Sequence, residues 1–147
     1  QKLFIPGASL SSFELRKALG ELFIYPIQGR LTSPFGYRSD PFTGARSFHT
    51  GVDLAAPIGT PVKATLDGRI AETGFNRIFG NYVIITHDRG YQSLYGHLSA
   101  VSVKRGQYVT QGAIVGAVGN TGYSTGPHLH LSIYKNGSLI NPFSVLK

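Results

Sequence analysis

The segment His128-Leu129-His130-Leu131-Ser132-Ile133-Tyr134 alternates polar and apolar side chains without a break. Successive residues of a β-strand face opposite sides, so it reads as a half-buried strand. Leu129, Leu131 and Ile133 point into a core, and His128, His130, Ser132 and Tyr134 point the other way. Two imidazoles therefore emerge side by side from one stiff element. Working outward, Asn136-Gly137 closes a hairpin behind this strand. Upstream, short apolar runs between Gly, Pro, Asn and Asp punctuation predict strands over 61–65, 68–73, 82–87, 91–98, 101–104 and 113–118, with Asp88-Arg89-Gly90 joining two of them as a hairpin. The period changes only near the start. There Ser11 and Glu14 form a capping box and Leu15, Ala18, Leu19 and Leu22 share a helical face, which predicts a short helix over 11–23. The expected fold is mainly β, a single antiparallel sheet or barrel-like body spanning 30–147, preceded by an extension over 1–29 that carries the helix.

A second cluster, His49-Thr50-Gly51-Val52-Asp53, places His49, Gly51 and Asp53 on one face by the same parity, with Gly51 leaving room for a metal and substrate to approach. Asp53 is the one acidic residue both spaced from a histidine and set among apolar neighbours; Asp40, Asp67 and Asp88 lie in turn signatures. The chain has no cysteine, which excludes thiolate zinc sites and leaves an all-nitrogen and oxygen donor set of the kind that holds catalytic zinc with one position open. It also lacks a His-Glu-x-x-His helix, so any general base should be a histidine. A third alternating segment, Ser93-Leu94-Tyr95-Gly96-His97, presents Ser93, Tyr95 and His97 together. His87, at the end of an apolar strand beside a turn, reads as structural.

Composition narrows the partners. With 14 Lys and Arg against 7 Asp and Glu, the net charge of +7 favours an anionic polymer, yet the basic residues are scattered and not interleaved with aromatics, which argues against nucleic acid. No apolar stretch reaches transmembrane length. The loop Gly119-Asn120-Thr121-Gly122-Tyr123-Ser124-Thr125-Gly126 lacks the Gly-Lys ending of a phosphate loop, and reads as a wall of the groove leading to His128. Tyr37, Tyr95 and Tyr123 are candidates to shape that groove. Segments 62–70 and 103–116 look like the half-motifs of biotinyl and lipoyl carriers, but a carrier needs a lysine at the hairpin tip, where this chain has Asp88-Arg89-Gly90.

His49-x-x-x-Asp53, Gly96-His97 and His128-x-His130 occur in order, with Ser33-Pro34-Phe35-Gly36-Tyr37-Arg38, Ala55-Ala56-Pro57-Ile58-Gly59-Thr60-Pro61 and Gly80-Asn81-Tyr82-Val83 around them. From about Arg30 to the C-terminus the chain resembles the lysostaphin-type (LytM) zinc endopeptidases of bacterial peptidoglycan. The resemblance implies Zn²⁺ held by His49, Asp53 and His130, with His97 and His128 acting on substrate and bound water. It also implies peptidoglycan stem peptides or cross-bridges as substrate and an exported protein of the periplasm or cell envelope. The alternative is a catalytically silent wall-binding or hydrolase-activating module, which the complete residue set opposes. Gln1-Lys2-Leu3-Phe4-Ile5-Pro6-Gly7 is similar to the closing strand of a LysM glycan-binding repeat, which leads to the expectation of a longer natural protein with such a module upstream.

Overall fold

The computed structural model describes residues 22–147. Their strands are β1 (Arg30–Ser33), β2 (Gly36–Ser39), β3 (Arg46–His49), β4 (Val52–Ala55), β5 (Pro61–Lys63), β6 (Gly68–Asn76), β7 (Gly80–Thr86), β8 (Tyr91–Val101), β9 (Tyr108–Val109), β10 (Ile114–Val118), β11 (His128–Lys135) and β12 (Ser138–Ile140). The pairings between these strands are antiparallel. One sheet runs β1-β4-β11-β8-β7-β6-β9, with β12 also on β11 and β5-β10 attached to β8; β2 and β3 form a separate ribbon. The sheet is open, so the barrel-like alternative gives way to the single antiparallel sheet.

Alternation places the core as expected along β11: Leu129, Leu131 and Ile133 are fully buried and meet Val52, Val83, Ile85, Leu98 and Val118 in one apolar cluster. β8 is longer than the pattern suggested. Its residues 100–101 find partners on β10, so the strand continues to Val101, and the strand expected over 101–104 is replaced by coil entering a turn. The Asp88–Gly90 turn joins β7 to β8 and Asn136-Gly137 joins β11 to β12, both as the turn chemistry predicts.

Of the helix expected over 11–23, only Leu22 and Phe23 are among the described residues. Neither is helical, and Phe23 bridges Leu146 while burying its ring against His87 and Tyr91. A ring that fills the core from a non-helical segment gains more from burial than one turn of helix supplies. Phe23 and Ile27 both belong to the core, upstream of Arg30. The remainder of that helix and the segment 1–7 lie outside the described residues.

Candidate metal centre

β11 lies between β4 and β8, and its register sets His130 opposite Asp53 on one side and Gly96 on the other. Cross-strand neighbours come close enough for their side chains to touch. His49 needs a different device. Four residues of straight strand would separate it from Asp53 by about 13 Å, too far to share an ion. The chain instead breaks at Thr50-Gly51: β3 ends at His49 in the ribbon, β4 begins at Val52 in the main sheet, and the bend brings His49 Nε2 to 3.1 Å from Asp53 Oδ1. Parity alone therefore misdescribes this segment. Gly51 does not open room for substrate either. A Cβ there would strike the Leu131 carbonyl and crowd Ser132 Oγ, so the glycine lets the bend lie directly against β11.

Three acceptor atoms converge. Asp53 Oδ1 lies 3.0 Å from His130 Nδ1, and His130 Nδ1 lies 3.2 Å from His49 Nε2. The far nitrogen of each ring fixes what the near one offers. His49 Nδ1 is 3.0 Å from the Pro34 carbonyl, which can only accept, so the ring donates there and turns its Nε2 lone pair inward. His130 Nε2 lies 2.7 Å from Ser132 Oγ, and donation to that hydroxyl leaves Nδ1 as the inward lone pair. Lone pairs facing one another at such distances call for a cation between them. Burial, the largest influence, would raise the Asp53 carboxyl, but the adjoining His130 and His49 rings hold it below the usual carboxylate range. Burial lowers His130, favouring the neutral ring. An ionised carboxylate and a neutral imidazole are the protonation states that bind metal. One ligand atom each from His49, Asp53 and His130 lies within 4.8 Å of the others, a donor set that fits a divalent ion such as zinc.

His97 and His128 stand beside this cluster, their ring centroids 4.6 Å apart. His97 Nδ1 donates to the Thr121 carbonyl at 2.6 Å and His128 Nδ1 to the Gly126 carbonyl at 2.8 Å. Both Nε2 atoms are left free to act, and that of His128 is 3.6 Å from Asp53 Oδ1. His97 reaches its position through strain. It has φ +62°, where a residue with a Cβ is rarely found, at a point where the β7–β8 register slips. The bulge breaks the alternation expected of 93–97. Ser93 and Tyr95 are buried, with the Ser93 hydroxyl donating to Tyr95 Oη, which is also bonded to Thr65, while His97 turns into the cleft. Burial, the largest influence, lowers His97 to about 4 and keeps it neutral near pH 7.

The five residues line one cleft of about 640 Å³, whose walls include Phe48, Ile78, Phe79 and Tyr123. Tyr123 donates to Asp40 Oδ1 at 2.7 Å and packs on Phe42, so the 119–126 loop is joined to the turn of the β2–β3 ribbon. Tyr123 is thus a wall of the groove. Tyr95 is core, and Tyr37 stands on the outside of the ribbon under Arg46. His87 is structural: it donates from Nδ1 to the Asp67 carbonyl and contacts Ser93 Oγ through Nε2. Polar residues of the cleft that the sequence reading did not pick as site residues include Arg38 and Ser33. Arg38 and Ser33 touch each other and the cluster; ribbon parity puts Arg38 on the face of Gly36, the partner of His49, while Ser33 belongs to another strand and carries no such signal.

Comparison with known proteins finds similar sequences and similar structures. The model of peptidase family M23 matches residues 47–142. The DD-carboxypeptidase/endopeptidase Mpg of Neisseria meningitidis is 50% identical over 119 residues, covering 81% of this chain and 27% of its own length. The peptidoglycan DD-endopeptidase ShyC of Vibrio cholerae is 43% identical over 117 residues, covering 79% of this chain and 27% of its own length. The chain thus spans about a quarter of these curated relatives. Among solved structures, the catalytic domain of lysostaphin from Staphylococcus simulans superposes with a TM-score of 0.72 at 36% identity, covering 79% of this chain and 90% of that one.

Proposed function

Because the chain belongs to peptidase family M23, we propose that it is a zinc-dependent endopeptidase that hydrolyses peptide cross-links of bacterial peptidoglycan, with His49, Asp53 and His130 holding the metal. The observation that carries this reading is the convergence of three inward acceptors and two further imidazoles in one cleft. Zinc bound there supplies Lewis acidity toward a peptide carbonyl and lowers the pKa of water to about 7.

The remaining chemistry belongs to the protein. His97, held neutral by burial and oriented by Thr121, and His128, oriented by Gly126, are the two groups able to accept a proton from the attacking water at Nε2. Once protonated, either ring donates to the oxyanion or to the leaving amine. Phe48, Ile78 and Phe79 give the cleft apolar walls, which lower the polarity around these groups and strengthen their interactions. The presence of all five residues favours catalysis over the role of a silent activator. The DD-endopeptidase names of the more identical relatives favour a direct cross-link between stem peptides over a glycine bridge as the bond cleaved. Such a substrate implies export to the cell envelope, and the net charge of +7 suits its anionic polymers. No helix among the described residues is long and apolar enough to cross a membrane.

Elemental analysis tests the ligand set. The protein should carry one zinc, and His49→Ala, Asp53→Ala and His130→Ala should each deplete it. Full zinc occupancy in all three variants would refute the assignment.

A further inference from the structure

Asp53 has two carboxylate oxygens, and the structure gives them different surroundings. Oδ1 faces the imidazoles of His49, His130 and His128. Oδ2 lies 3.5 Å from Arg38 Nη1. The same Nη1 donates to Ser33 Oγ at 2.8 Å, and Ser33 Oγ is 3.4 Å from His49 Nδ1. Ser33 is itself fixed, being buried and paired with Asp53 in the β1–β4 register. Arg38 lies on β2, in the ribbon that also carries His49 on β3, whereas Asp53 lies in the main sheet. A guanidinium and a hydroxyl thus tie together the two structural units from which the proposed metal ligands come. Arg38 Nε is buried without a hydrogen-bond partner. Leaving a buried donor unmet costs free energy, which indicates that the side chain is held for what Nη1 touches.

We propose that Arg38, braced by Ser33, is a positioning residue of the metal centre: it occupies Asp53 Oδ2 so that the carboxylate presents Oδ1 alone to the ion, and so locks the His49-bearing ribbon in register with Asp53. The inference rests on the ligand assignment proposed above. Groups that orient metal ligands from the next layer out typically change metal affinity or activity by about 10- to 100-fold when removed. Lysine can replace the charge at Oδ2, but its shorter, more flexible stem does not hold a donor rigidly between Oδ2 and Ser33 Oγ, so it should restore only part of the effect.

The test is zinc affinity of the metal-free protein, measured by competition with a chromogenic chelator, together with the visible absorption of its cobalt(II) form. Arg38→Met should weaken zinc binding about 10- to 100-fold, with Arg38→Lys intermediate. It should also change the cobalt spectrum, because a carboxylate freed at Oδ2 can bind through both oxygens, and a loss of general stability would leave that spectrum alone. Ser33→Ala should weaken zinc binding in the same direction, and the double variant should be no weaker than the weaker single one, as for residues acting as one unit. Arg38→Met binding zinc within about threefold of the wild type, with an unaltered cobalt spectrum, would overturn the inference. Should Arg38→Met not fold, unchanged zinc affinity in Ser33→Ala would overturn it instead. A wild-type protein without zinc affinity defeats the underlying ligand assignment, which separates the two failures.

Discussion

Replacing Gly51 by Ala isolates the device that brings the two halves of the proposed metal centre together. The added Cβ would sit 2.7 Å from the Leu131 carbonyl carbon and 2.9 Å from Ser132 Oγ. Ordinary contacts between carbon atoms are about 3.5 Å, so β4 and β11 must part by on the order of 1 Å. The obstacle is backbone on the central strand of the site and cannot swing aside. The same strand pair holds His130 opposite Asp53, so the displacement is transmitted to the ligand cluster. Overpacking of this kind costs about 1–3 kcal/mol, or roughly 2–10 °C in melting temperature for a chain of this size. A displacement of 1 Å in a catalytic arrangement costs about 10²-fold in rate. Gly51→Ala should therefore melt earlier, bind zinc more weakly, and lose about 10² in kcat/KM. Gly126→Ala is the control, because a Cβ there meets nothing within 4 Å and the backbone needs no positive φ. Calorimetry and chelator competition on both variants decide the matter: a Gly51→Ala protein with wild-type melting and zinc affinity would refute the close-approach argument.

Other changes separate the roles of the remaining groups. His97→Ala and His128→Ala should keep zinc yet lose hydrolysis by about 10²-fold or more, as seen by elemental analysis beside a peptide-release assay; loss of zinc would make the residue a ligand, and wild-type rates would remove it from the mechanism. Tyr95→Phe removes a buried hydroxyl that serves Thr65 and Ser93, leaving polar atoms unpaired at a cost of about 1–3 kcal/mol in denaturant unfolding, with no change in zinc content. His87 is lowered below its ordinary 6.5 by burial, so the unfolded chain takes up its proton first; stability should be intact above pH 6.5, fall as pH drops from there toward the lowered folded value, and level off below it. His87→Gln should be less stable at pH 7 but flatter over that window, and equal slopes for the two proteins would exclude His87 as the source.

The parts of this site that a sequence can disclose are those built on one uninterrupted strand. The alternation of 128–134 is enough to put His128 and His130 on the face opposite Leu129 and Leu131, and β11 bears this out. Where the local period is broken, parity misleads. The bend at Thr50-Gly51 and the bulge at His97 each move a histidine by a backbone irregularity whose cause lies in a distant strand: the Leu131 carbonyl in the first case, the β7–β8 register in the second. The partners of Arg38 are equally illegible, because Ser33, Arg38 and Asp53 belong to three strands that only the completed fold brings into contact. Phe23, at the end of the expected helix, makes a contact of the same kind, its ring filling a gap between His87 and Tyr91 that the local period does not anticipate.

Digestion of purified cross-linked muropeptides followed by mass spectrometry tests metal, cleft and substrate at once. The zinc-loaded protein should convert cross-linked dimers to monomers with uptake of one water per bond cleaved, a chelator should abolish the conversion and added zinc restore it, and Asp53→Ala should be inactive under every condition. Cleavage that persists after zinc has been stripped, or intact dimers in the presence of fully zinc-loaded, folded protein, would contradict the proposed function.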